Sequence, residues 1–103
     1  MSNTNDDGFG FALPPFQPAE ALQKLQRELR ALGLAERGGV FERRGVAIAK
    51  AAVDGELLQA SVVKRPSRTG PEWTHKTLKS SADSRDFVAD LKKKLALWSD
   101  RDD

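Results

Sequence analysis

Between Val46 and Val63 the chain runs through two mainly apolar stretches divided by Asp54-Gly55. An Asp-Gly pair flanked in this way is the strongest short-range signal for a β-hairpin, because the favoured two-residue turns need positive φ and Asp and Gly adopt it cheaply. With those two residues as the turn, Val53 opposes Glu56 and the register follows. One face then carries Ala47, Ala49, Ala51 and Val53 beside Leu58, Ala60 and Val62. The other carries Val46, Ile48, Lys50 and Ala52 beside Leu57, Gln59, Ser61 and Val63. The first face is apolar apart from Glu56 at its end, so it is expected to lie under helices, with small alanines permitting close approach. Helix propensity alone favours a helix over Val46–Val53. The turn and the β-branched Val62-Val63 favour strands.

Two amphipathic stretches flank this hairpin. Leu22, Leu25, Leu29 and Leu32 recur at steps of three, four and three, which places them on one face of a helix from Pro18 to Leu32. Pro18 suits the first helical position, Gly33 offers a left-handed stop, and Leu34 is positioned to fold back on the last turn. The leucine seam spans about two heptads, too short for a coiled coil and suited to a core face. A second helix is expected from about Ala82 to Trp98. Phe87, Val88, Leu91, Leu95 and Trp98 share its inner face, and Ser80 with Asp83 forms a capping-box pattern at its start. Val40–Arg43 reads as a short strand between glycine breaks, and the alternation of Trp73–Leu78 reads as another. The expected fold class is α+β: helix, three- to four-stranded antiparallel sheet, helix, with both helices packed on one face and the other face solvated. In topology alone, three strands between two helices are similar to the double-stranded-RNA-binding domain. Strands followed by an amphipathic helix, here the hairpin at Gly55-Glu56, the basic loop and the stretch from Lys76 to Lys94, resemble the single-stranded-DNA-binding domain of transcriptional coactivators. Neither likeness rests on a shared motif, and no family is assigned on it.

At 103 residues the chain holds one core and not two large ones. The organisation read from it is an extended or disordered arm over residues 1–17, one α+β domain over 18–98, and a frayed acidic tail over 99–103. The arm contains Gly8-Phe9-Gly10-Phe11-Ala12-Leu13-Pro14-Pro15-Phe16, where glycines and prolines forbid a helix. Phe9, Phe11 and Phe16 are candidate protein-binding residues, although folding back onto the domain's own core is the more common fate of such residues. The start of the chain is polar and acidic, unlike a secretory signal, and no apolar run approaches a membrane span. No membrane association and a cytoplasmic location are therefore expected.

The chemistry of catalysis is missing from the sequence. There is no Cys and one His, His75, with no second ligand-type residue at a metal spacing from it. No phosphate loop, paired acids or activated nucleophile is visible. The expectation is a protein that is not an enzyme and takes no cofactor and no metal. The net charge of +2 is uneven along the chain. Arg65, Arg68, Lys76 and Lys79 against Glu72 make residues 65–79 the most basic segment, with Lys64 adjoining and Trp73 in its middle. Lys64, Arg65, Arg68, Trp73, Lys76 and Lys79 are accordingly candidate nucleic-acid contacts: cations neutralise phosphates and an exposed indole stacks on an unpaired base. Two functions follow. The first is a small protein-interaction or self-associating module with an unknown protein partner or a homodimer; the alternative is a contact module for single-stranded nucleic acid or RNA.

Overall fold

The computed structural model describes residues 16–101. The order is α1 (Pro18–Ala31), β1 (Ala35–Arg37), β2 (Val40–Arg43), β3 (Val46–Asp54), β4 (Leu57–Val63), β5 (Trp73–Leu78) and α2 (Ser81–Arg101). The five strands form one antiparallel meander in sequence order. The helices touch each other, α1 lying on β3 and β4 and α2 on β5, which places both on the same face of the sheet. The fold class is as the sequence implies, but the sheet has five strands and not three or four. The additional strand is β1. Its residues Ala35-Glu36-Arg37 are all exposed, so no buried position leaves an alternating apolar trace. Backbone pairing with β2 and the 3.0 Å ion pair from Arg30 to Glu36 tie it down.

The helix ends follow the sequence closely. Pro18 opens α1. At its other end Gly33 has φ +91°, its N–H bonds to the Arg30 carbonyl at 2.9 Å, and the Leu34 N–H reaches the Leu29 carbonyl at 3.3 Å. This is the Schellman arrangement, and it drives Leu34 into the core at 4% exposure. At the start of α2, the Asp83 N–H donates to Ser80 Oγ at 3.1 Å. The Asp83 carboxylate accepts from the Lys79 N–H at 2.9 Å, one residue earlier than in the usual reciprocal box. The helix continues to Arg101, three residues past Trp98.

The hairpin forms with a corrected register. Asp54 pairs with Leu57, and Val53 pairs with Leu58 rather than Glu56. The central turn residues are Gly55 and Glu56, with Gly55 at φ +63°. A turn with positive φ at its first central residue alone is type II′, and Gly is the residue that position selects. The slip moves each pair by two residues, so by itself it leaves side chains on their expected faces. Val53, expected in the core, is at the hairpin tip and is 43% exposed.

A second departure lies between β2 and β3. Phe41 pairs with Ala49 and Glu42 with Ala47, so Ile48 is an extra residue in β3. This bulge turns Ile48, expected on the face away from the helices, into a fully buried member of the core. The core is built on Leu25 and Leu29 of α1, Phe41, Ile48, Leu58 and Leu78 of the sheet, and Leu91 of α2, all at most 1% exposed. Each such side chain contributes roughly 1.5–3 kcal/mol of hydrophobic stabilisation. Phe16 packs against this core, half-buried, while Phe9 and Phe11 lie outside the described residues. The far face of the sheet is not wholly solvated as expected: Val63 is fully buried there and Ser61 is 5% exposed.

Candidate functional site

In a meander, alternate connections lie at the same end of the sheet. The β2–β3 turn, Arg44-Gly45, and the long β4–β5 loop are therefore neighbours, although about twenty residues separate them in sequence. α2 begins at the opposite end and runs back. Its 21 residues make a helix of about 31 Å, longer than the ~20 Å of β5 beneath it. The last turns of α2 thus reach the end of the sheet where the turn and the loop lie.

These three elements enclose an open cleft of about 370 Å³. Arg43 and Arg44 come from the turn, Arg65, Ser67 and Arg68 from the loop, and Trp98 from α2, over a floor that includes Val46 and Ile48. Four guanidinium groups and an indole share one concavity, and no carboxylate lines it among the described residues. Arg43 is held in place by α2: it donates to Ser99 Oγ at 2.7 Å and to the Leu95 carbonyl at 3.3 Å. Both bonds tie its guanidinium to the last two turns of α2. Arg44 stands at φ +56°, the only non-glycine residue with positive φ among the described residues. Arg65 and Arg68 are exposed. The loop is closed at its base by the Lys64 N–H, which donates to the Glu72 carbonyl at 2.9 Å. Near its tip the Ser67 and Thr69 hydroxyls are 3.0 Å apart.

Of the residues singled out from the sequence, Arg65 and Arg68 fall in this cleft. Lys64 is exposed at the root of the same loop. Trp73 starts β5 beside Val63, on the sheet face away from the helices, with Lys50 Nζ 4.5 Å from its ring centroid. One face of that ring is therefore already occupied by a cation. Lys76 projects to the helix side of β5, next to Lys94 and Asp90. Lys79 follows β5 at the far end of the sheet. The basic segment is thus divided between two faces and two ends, and its loop alone contributes to the cleft. Arg43, Arg44 and Trp98 are the partners that reading by segment missed. The alternation of meander connections was the signal that joins them to Arg65 and Arg68.

His75 sits on β5 opposite Ser61, with Nδ1 2.7 Å from Ser61 Oγ. A serine and an imidazole at this distance resemble a nucleophile and its base. Here no carboxylate bonds to the ring among the described residues, and the serine is buried, so the contact is a cross-strand hydrogen bond. Next along the strands, Thr77 Oγ1 donates to Gln59 Oε1 at 3.2 Å. Among the described residues no three His, Cys, Asp or Glu side chains come together as a metal site, and no helix is long and apolar enough to cross a membrane. Protein-family models give no match to this chain, and neither the curated proteins nor the solved structures yield a similar one.

Proposed function

We propose that this protein is a contact module for single-stranded nucleic acid, with the arginine cleft as its phosphate-binding site. The observation that carries this reading is the convergence of Arg43, Arg44, Arg65 and Arg68 around one cleft beside Trp98. Guanidinium groups present planar, bidentate donors matched to phosphate oxygens and keep their charge at any physiological pH. Trp98, half-buried in the wall, adds a surface on which a base can stack. Bases in a duplex are stacked on one another and cannot reach an indole recessed in a cleft, so an unpaired strand is the better fit.

A fluorescent single-stranded oligonucleotide titrated with the protein at low salt tests this by anisotropy. Saturable binding is expected, with Arg65→Ala/Arg68→Ala weakening it at least tenfold and Lys79→Ala leaving it nearly unchanged. Binding that is unaffected by the double substitution sinks the proposal. A protein-interaction or self-associating role has a different observation in its favour, the outer side of β5, which pairs with no strand among the described residues, and the groove beside it.

A further inference from the structure

The arginine cleft is small for a site that takes a strand. An apolar cavity of roughly 150 Å³ takes one benzene molecule. A cleft of about 370 Å³ therefore takes a base with its sugar and phosphate, and not a run of several nucleotides. Its charge is concentrated as well. Arg65 and Arg68 come from one loop, and both are exposed, so neither serves the core. Neither makes a hydrogen bond or an ion pair among the described residues. The loop that carries them is restrained from within. The Lys64 N–H closes its base on the Glu72 carbonyl, Pro66 fixes one backbone angle, and Ser67 Oγ accepts from the Thr69 N–H at 3.3 Å. A loop held in this way loses little freedom when a ligand binds. Arg43, tied to α2 through Ser99 and the Leu95 carbonyl, adds a fixed positive charge to the wall.

The interior and the end of a strand make different demands on such a site. An interior phosphodiester carries one negative charge, has two free oxygens and continues into the strand on both sides. A terminal phosphomonoester carries about −1.5 to −2 at neutral pH and presents three acceptor oxygens. It continues into the strand on one side alone. Two guanidinium groups, planar forks of N–H donors that grip phosphate bidentately, match the monoester in charge and in acceptor number. A cleft the size of one nucleotide also needs no exit for a strand that ends within it. We propose that the cleft takes the phosphorylated end of a single strand, with Arg65 and Arg68 on the terminal phosphate and the last base against Trp98. This rests on the reading of the cleft as a single-strand site and narrows it from strand interiors to strand ends.

Anisotropy at low salt, on short oligonucleotides of one sequence with the dye on an interior base, tests this without altering the protein. The strands end in a 5′-phosphate, in a 3′-phosphate, or in hydroxyl groups at both ends. A phosphate at one of the two ends is expected to tighten binding by roughly tenfold or more over the hydroxyl-ended strand. A hydroxyl-ended strand two nucleotides longer carries about the same charge as the phosphorylated one, and it should gain little. Arg65→Ala/Arg68→Ala is expected to bring phosphorylated and hydroxyl-ended strands to equal affinity. A nucleoside monophosphate should displace the phosphorylated strand, and the nucleoside without phosphate should not. Equal affinity of the intact chain for phosphorylated and hydroxyl-ended strands overturns the strand-end proposal and leaves single-strand binding standing. A longer strand that binds as tightly as the phosphorylated one assigns the gain to charge alone and overturns it too. A preference for phosphorylated ends that survives the double substitution places the end outside the cleft, with the same consequence. No binding of any strand overturns the single-strand reading itself, and the proposal with it.

Discussion

Arg44 occupies a position that its side chain does not favour. The Arg44-Gly45 turn between paired Arg43 and Val46 has φ +56° and +78°, the type I′ combination for which Asn-Gly is preferred. A residue with a Cβ in the left-handed region costs roughly 1–2 kcal/mol, less for Asn, whose short polar side chain tolerates it. Arg44→Asn is therefore expected to raise the unfolding free energy measured in urea by up to about 1 kcal/mol, while weakening oligonucleotide binding. Opposite signs in the two measurements identify strain kept for the ligand. A loss of stability shows instead that Arg44 holds the fold through its side chain. Leu29, at 0% exposure, is the contrasting case: its backbone is relaxed and its side chain serves the core.

At the level of elements, the strand turns divide what composition reveals from what geometry decides. Asp54-Gly55 announced a hairpin, and a hairpin forms, but Gly55-Glu56 is the turn. Two-residue turns of both primed types accept this sequence, and the choice between them moves the register by two without exposing either face. Hydrophobic patterning therefore cannot distinguish them. The same blindness explains Ile48, whose bulge breaks the period of two that strand reading assumes. It also explains β1, which buries nothing. The leucines of α1, its Gly33-Leu34 stop and the Ser80 cap were legible because each depends on neighbours within a few residues. The cleft was half legible: Arg65 and Arg68 share a loop, whereas Arg43 and Trp98 join them through topology and through the length of α2. The turn assignment makes a definite prediction. Gly55 has φ +63° and open space around its missing Cβ, so Gly55→Val should destabilise through backbone conformation alone, by about 1–2 kcal/mol. Gly55→Ala should lose nearly as much, because any Cβ meets the same backbone conformation. Urea unfolding of the three chains decides it; Val and Ala variants as stable as the original chain contradict a positive-φ turn at this position.

Considered whole, the molecule is electrically uneven from one end of the sheet to the other. The end bearing the cleft gathers Arg43, Arg44, Lys64, Arg65 and Arg68, and the opposite end presents Asp54 and Glu56 at the β3–β4 turn together with Lys79 and Asp83. A net charge of +2 hides this, because attraction of a polyanion is set by the local field and not by the sum. Salt is the variable that separates this reading from binding through apolar surface. Each phosphate neutralised releases counterions, giving a log–log slope of about −0.7 per contact for single strands. The four cleft arginines set a ceiling near −2.8, so affinity should fall by up to roughly 50-fold between about 50 and 200 mM salt. Removing Arg65 and Arg68 together should flatten the slope by about 1.4, in addition to weakening binding at any one salt concentration. An apolar contact instead persists or tightens as salt is raised. A slope near zero in the intact chain therefore removes the phosphate reading whatever the affinity. A steep slope that survives the double substitution moves the contact away from the cleft to the other cations of the surface.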